Sequence, residues 1–178
     1  INTIDNKKIS NLIIDLRDNQ GGNTRYSKYL LSYLLDKPFS LVVGFAQNKK
    51  GEILDCNGPR QGTHQPLKNG FKGKVFVLIN GGSFSNSSIF CSTLEKHERA
   101  VFIGTETGGS RYALCGSLKT LTLPNTKIRI QLPQLLYKLR KDYKEKSGGI
   151  KPHFEVKESI QSILEGNDLS LEKVLSLI

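Results

Sequence analysis

The sequence predicts an α/β domain: parallel strands alternating with helices, followed by a small antiparallel addition. Three observations predict it. Short runs rich in Ile, Leu and Val alternate with helix-spaced segments up to Gly104. Beyond Gly104, segments that alternate apolar and polar residues dominate. The chain has 178 residues, 37% of them apolar, which suits one domain with its own core, and no apolar run nears the ~18 residues of a membrane helix.

Each element follows from its local pattern. Asn11–Arg17 (NLIIDLR) is a short apolar run of the buried-strand type, and DNQGGN follows as a loop. Tyr26, Tyr29, Leu30, Tyr33 and Leu34 recur at helix spacing, with Pro38 as a stop. Ser40–Ala46 (SLVVGFA) reads as a second strand. Lys49–Lys72 is rich in Gly, Asn and Pro and lacks periodicity. It reads as a long excursion with room for one short strand, and is expected to border the functional cleft. Lys74–Asn80 (KVFVLIN) is the strongest strand of the chain. Phe84 to His97 has helix length and carries Ile89, Phe90, Thr93 and Leu94 as its apolar set. Ala100–Gly104 is a further buried strand. SLKTLTL and KIRIQL flank Pro124-Asn125 and predict a hairpin with one wet face. Leu171, Val174, Leu175 and Ile178 mark a terminal amphipathic helix.

Composition removes several function classes. The balance of 26 basic to 16 acidic residues is a net +10, spread over many segments and densest in Tyr137–Lys146 (YKLRKDYKEK). No nucleic-acid motif accompanies it, so nucleic-acid binding is not expected. The three cysteines, Cys56, Cys91 and Cys115, cannot all pair within one chain and show no CxxC spacing, so no metal site is expected. No Gly-Lys-Ser/Thr follows either glycine pair, which excludes a phosphate loop, and no cofactor is expected. The chain opens on Ile1 and contains no methionine, so we read it as part of a longer or processed protein.

The chemistry concentrates at two turns. NGGSFSNSSIF, Asn80–Phe90, sets a Gly-Gly turn and four serines between a buried strand and a helix. The free N–H groups of a first helical turn favour negative charge, so a nucleophile whose attack creates an oxyanion belongs there. Ser83, Ser85, Ser87 and Ser88 all compete for that role, and one of them could serve only as an N-cap. LIIDLRDNQGGN also ends a buried strand in a Gly-Gly loop before a helix. In a parallel sheet both loops can emerge side by side at the same strand ends, where ligands usually bind.

LIIDLRDNQGG, VFVLINGGSFSNSSIF, RAVFIGTETGG and GGIKPHFEV occur in that order. They resemble the four signature blocks of the C-terminal processing (tail-specific) serine peptidases and the tricorn protease core. The resemblance runs from about Asn11 to the C-terminus and implies a crotonase-like (ClpP/crotonase) α/β core with a small antiparallel β addition. In the family's Ser-x-Ser-x-Ser/Gly-Glu block the middle serine is the nucleophile, which here is Ser85. The resemblance implies an oxyanion hole from the N–H of Asn86 and one N–H of Gly21-Gly22. Ser88 stands where the family has glutamate.

A serine hydroxyl needs a neighbouring base. The C-terminal processing branch draws a lysine from Gly-x-x-Thr-x-Gly-Lys-Gly, and Ser110 stands at that position here, followed by Arg111. A guanidinium does not deprotonate, so Arg111 cannot substitute. The ETGG of Glu106–Gly109 is closer to the tricorn-like branch, whose base is a histidine upstream of the serine. His97 lies twelve residues after Ser85, about 18 Å along a shared helix, too far for proton transfer. His64 lies in the long excursion and is a candidate base only if folding brings that segment to Ser85, and His153 holds the aspartate place of the Gly-Ile/Val-x-Pro-Asp block, which the resemblance implies is structural. Glu145 and Asp142 are the nearest matches to the tricorn-type glutamate, and a solvated loop carboxylate is the competing reading for both.

These readings predict a serine peptidase core that hydrolyses peptide or protein substrates through Ser85, with the base in an N-terminal segment outside this chain. A cell-envelope, periplasmic or secreted location is expected, and the isolated chain is expected to be nearly inactive. The alternative is a peptidase-like domain that has lost chemistry and binds peptide or protein. Basic residues after the serine helix, Arg111, Lys138, Arg140, Lys141, Lys144 and Lys146, are candidates to steer acidic peptides, or a free C-terminal carboxylate, against the plainer reading of a diffuse basic surface.

Overall fold

The computed structural model describes residues 9–47, 52–54, 62–140 and 148–178. Its first sheet is parallel, in the order β1-β4-β5-β8: β1 (Asn11–Asp15), β4 (Lys74–Ile79), β5 (Val101–Gly104) and the short β8 (Phe154–Glu155). The register sets Asn11 against Lys74 and Asp15 against Leu78, so β1 and β4 end together.

β4 forms because its side chains are apolar on both faces. Val75, Val77 and Ile79 join the larger core with Leu31, Leu34, Ile89, Phe90 and Leu94. These come from helix α1 (Thr24–Leu34) and helix α2 (Asn86–Lys96), which cover that face. Phe76 and Leu78 point to the other face, where they pack with Ile103 and Val174. Val174 belongs to the terminal helix α4 (Leu169–Leu175), which follows the short helix α3 (Ile160–Glu165). A strand covered on both faces reads as a continuous apolar run, which is why Lys74–Asn80 stands out in the sequence.

The second sheet is antiparallel, β3-β2-β7-β6. β6 (Ala113–Thr122) and β7 (Arg129–Lys138) form a long hairpin, and β2 (Gly44–Gln47) and β3 (Glu52–Leu54) extend it. The hairpin expected around Pro124-Asn125 is present, and both strands run several residues further than the alternating segments suggest. The strand expected over Ser40–Ala46 forms over Gly44–Gln47 and pairs with β7 rather than with the parallel strands. Phe39 makes an isolated antiparallel bridge to His64 instead. Among the described residues, no helix is long and apolar enough to cross a membrane.

Candidate active site

The common ending of β1 and β4 brings the two glycine loops into contact, and hydrogen bonds knit them together. Asn80 Oδ1 accepts the N–H groups of Asp18 and Gly82, and its Nδ2 donates to Asp18 Oδ1. Ser83 Oγ accepts from the Asn80 N–H and donates to the Leu16 carbonyl at 2.7 Å. Phe84 N–H and Ser87 Oγ both donate to the Asn19 carbonyl. A third loop closes the site from behind: Gly109 N–H donates to Ser83 O, and Thr107 holds Ile150 of the final signature block through paired hydrogen bonds.

These bonds separate the four serines. Ser83 is fully buried and spent on the two loops. Ser87 is buried and bound to Asn19. Ser88 is fully buried, and its Oγ has no hydrogen-bond partner among the described residues. Only Ser85 is partly open to solvent. It occupies the N-cap position of α2 but makes no side-chain capping bond. Its backbone sits at φ 53°, ψ −115°, a region that L residues rarely adopt and that costs about 1–3 kcal/mol. A strained strand-to-helix turn lifts a side chain clear of the helix and presents its hydroxyl to a cleft.

The cleft is a cavity of about 260 Å³ lined by Gly22, Thr24, Val42, Ser85, Asn86, Ile89, Leu114, Cys115, Gly116 and Tyr137. Its walls thus come from the first glycine loop, the start of α2 and the root of the β6–β7 hairpin. Nothing in the linear sequence connects Cys115, Gly116 and Tyr137 with Ser85; the antiparallel sheet folds them over it. A second cavity of about 320 Å³ lies behind Asn86, between α1 and the glycine loop.

Two residues that line this cavity have backbone N–H groups with no acceptor among the described residues: Asn86, the first of α2, and Gly22. Gly21 N–H does not share this freedom, because it donates to Asn19 Oδ1 at 3.0 Å. Of the two glycines, Gly22 is thus the one whose N–H has no acceptor among the described residues. Gly21 contributes shape: a Cβ there would lie 2.7 Å from Asn86 N and 2.8 Å from Ser85 Cβ. The Asn86 side chain ties the two loops from the other side, with Nδ2 donating to Asn23 O at 3.3 Å. Asn23 in turn caps α1.

Residues 1–156 match Peptidase family S41. The chain belongs to this family. It is 29% identical over 169 residues to a carboxy-terminal-processing protease of Bartonella bacilliformis, covering 92% of this chain and 35% of that protein. It is 32% identical over 107 residues to a tail-specific protease of Haemophilus influenzae, covering 60% of this chain and 14% of that one. The chain thus spans about a third or less of the curated relatives it matches. Among solved structures, mature CPAF complexed with lactacystin superimposes with a TM-score of 0.71 at 21% identity, over 94% of this chain and 44% of that one. The tricorn protease superimposes with a TM-score of 0.52 at 19% identity, over 94% of this chain and 15% of that one.

The remaining candidate residues of this S41 chain fall outside the cleft or outside the described residues. His64 lies in neither cavity. It pairs with Phe39 through both backbone hydrogen bonds and packs edge-on to that ring. Burial, aided by the charge of Lys28, lowers its pKa, and its Nε2 is buried without a partner. Of the excursion that was expected to border the cleft, residues 62–72 run along the end of α1 instead, where Leu67 and Phe71 donate to the Ser32 and Tyr33 carbonyls. His97 caps the C-terminal end of α2, opposite Ser85. His153 Nδ1 accepts the Phe102 N–H, and its ring stacks on Phe102. Ser110, at the lysine position, accepts the N–H groups of Tyr112 and Ala113 and so shapes a turn. Asp142, Glu145 and Cys56 lie outside the described residues, as do Lys141, Lys144 and Lys146. Cys91 and Cys115 are free thiols.

Proposed function

We propose that this chain is the catalytic core of a serine peptidase in which Ser85 is the nucleophile. The observation that carries the reading is the position of Ser85: a strained, uncapped serine at a helix N-terminus, facing a cavity beside two unbonded backbone N–H groups. Ser85 Oγ attacks the scissile carbonyl carbon and passes its proton to a base. The carbonyl oxygen becomes an oxyanion that accepts from Asn86 N–H and Gly22 N–H, with the positive end of α2 behind it. Collapse expels the amine, which takes up the proton, and leaves an ester on Ser85. Water then attacks the ester with help from the same base and releases the acid.

Among the described residues lining the cavity, the titratable side chains are the Cys115 thiol and the Tyr137 phenol. Neither is the histidine, lysine or amine that ordinarily activates a serine nucleophile. The base in this reading comes from elsewhere, either from the residues not described, Glu145 and Asp142 among them, or from polypeptide beyond these 178 residues. We further read the parallel sheet and its covering helices as a crotonase-like core, on the strength of the β1-β4-β5 order with both glycine loops at one edge.

The test compares the full-length protein with the 178-residue chain. A fluorophosphonate probe is expected to label Ser85 of the full-length protein, which hydrolyses peptides. Ser85→Ala removes both properties, and the short chain labels weakly. Peptide hydrolysis that survives Ser85→Ala would overturn the proposal. Peptide binding with neither labelling nor hydrolysis would point to a binding domain instead.

A further inference from the structure

We propose that the open edge of β6 docks an extended acidic segment of the substrate polypeptide, which adds to the sheet as a further strand and leads to Ser85. The proposal rests on the peptidase reading and names the substrate class of that same site.

β6 is the last strand of its sheet. It pairs with β7 from Ala113↔Lys138 to Thr122↔Arg129, and among the described residues no strand covers its other side. An uncovered edge offers a row of backbone donors and acceptors that a second extended chain can satisfy. The root of this edge is also a wall of the cleft: Leu114, Cys115 and Gly116 line the cavity with Ser85 and Asn86. A peptide laid along β6 therefore has its backbone directed at the nucleophile. Gly116 offers no side chain there, and a Cβ at that place would run into the Tyr137 ring.

Charge selects the occupant. From Ala113 to Lys138 the sequence holds four basic residues, Lys119, Lys127, Arg129 and Lys138, and no acidic one. Lys119, Lys127 and Arg129 are exposed and form no ion pair among the described residues. The basic residues nearer the serine helix are differently placed. Arg111 and Arg140 both pair with Glu95, at 2.7 and 2.9 Å. Among the basic residues after the serine helix, Lys119, Lys127 and Arg129 thus keep their charge unpaired among the described residues; Lys119 is on β6 itself, and the other two are at the far end of the same hairpin. A second copy of this chain is a poor occupant, because edge-to-edge pairing would bring two like-charged hairpins together.

Register then gives a pattern. Lys119 and Leu121 share a face with their partners Leu132 and Ile130, and all three of these apolar side chains are exposed. Lys119 lies three residues beyond Gly116, about 10 Å along a strand. An acidic residue three or four positions from the scissile bond would meet Lys119, and an apolar one further along would meet the Leu121 face.

The experiment uses the full-length protein carrying Ser85→Ala and fluorescent peptides that differ only in Glu, Gln or Lys at those positions. The Glu peptide is expected to bind about tenfold more tightly than the Gln peptide at low salt, with the preference fading as salt rises. The exposed triple substitution Lys119→Glu, Lys127→Glu and Arg129→Glu is expected to erase or invert that order while the circular dichroism spectrum stays unchanged. Methylating alternate backbone nitrogens of the Glu peptide is expected to abolish binding. Equal affinity for all three peptides, full binding of the methylated peptide, or equal binding of a single-stranded oligonucleotide would overturn the proposal. Cleavage of the Gln peptide by the wild-type enzyme without charge preference would refute the docking edge and leave the peptidase reading intact. Failure of the wild-type enzyme to cleave any of them, or to react with a fluorophosphonate, would refute the peptidase reading itself.

Discussion

Replacing Gly21 by alanine tests whether the first glycine loop sets the position of Asn86 N–H, one of the two oxyanion donors proposed above. Gly21 sits at φ +105°, and its added Cβ would lie 2.7 Å from Asn86 N, 2.8 Å from Ser85 Cβ and 3.0 Å from Phe84 O. Ordinary contact begins near 3.4 Å, so Asn86 N must retreat by 3.4 − 2.7 = 0.7 Å, or the loop must back away by as much. A donor drawn from about 2.9 Å to about 3.6 Å no longer makes a hydrogen bond. Loss of one oxyanion donor costs about 10²–10³ in kcat, or about 2.7–4 kcal/mol. Gly81→Ala is the control. A Cβ at Gly81 meets nothing within 4 Å and its φ is not positive, so the substitution does not push on Asn86 or on the first glycine loop. The assay is peptide turnover and fluorophosphonate labelling of the full-length variants, with urea unfolding to measure stability. Gly21→Ala is expected to lose at least about 100-fold in kcat, and Gly81→Ala less than about tenfold. Equal activity of the two variants would refute the argument that Gly21 shapes the donor.

Three further expectations follow from the same contacts. Ser83→Ala leaves the Asn80 N–H without its partner and takes one of the two hydrogen bonds from the Leu16 carbonyl, which keeps the Asn19 N–H, and should cost about 1–3 kcal/mol in urea unfolding. Ser85→Ala, which breaks no capping bond, should stay within about 0.5 kcal/mol of wild type; the reverse order would undo the assignment of the serines. Arg17 donates to both Asp15 and Asp168, and these bonds hold both carboxyls below their ordinary value of 3.8. A depressed folded-state pKa stabilises above the unfolded value and fades as pH falls through the folded one. Asp168→Asn should therefore be less stable than wild type at neutral pH, and the gap should close in acid below 3.8; a pH-independent gap would rule this out. Cys115 is exposed in the cleft wall, whereas desolvation in the core pushes the Cys91 thiol far up. Iodoacetamide should modify Cys115, spare Cys91 and slow Ser85 labelling, and Cys115→Ala should restore it; peptide mapping shows whether modification leaves Ser85 labelling untouched, the outcome against this.

The sequence by itself determined three of the four parallel strands, β1, β4 and β5, the three longest helices and the two glycine turns; the two-residue β8 carries no such signal. These depend on signals carried within a few residues: a run apolar on both faces at Val75–Ile79, a 3.6-residue stripe at Tyr26–Leu34, and Gly-Gly after each of two strands. The order of the signature blocks pointed to the family, which the match over residues 1–156 shows. Tertiary structure decided what each polar residue could still offer. Four serines in six residues look alike until Leu16 O and Asn19 O, from a loop more than sixty residues away, engage two of them and burial closes a third. Gly21 and Gly22 are equivalent in the sequence, yet only Gly21 N–H is taken by Asn19. Arg111 and Arg140 read as free charge until Glu95 meets both. The strand expected at Ser40–Ala46 joined the antiparallel sheet because pairing partners are chosen across the fold and not along the chain. Local pattern dictates backbone conformation because propensity and burial face act within one element. Hydrogen-bond partners and ion pairs come from elements distant in sequence, so which group remains free to act is settled only when those elements pack.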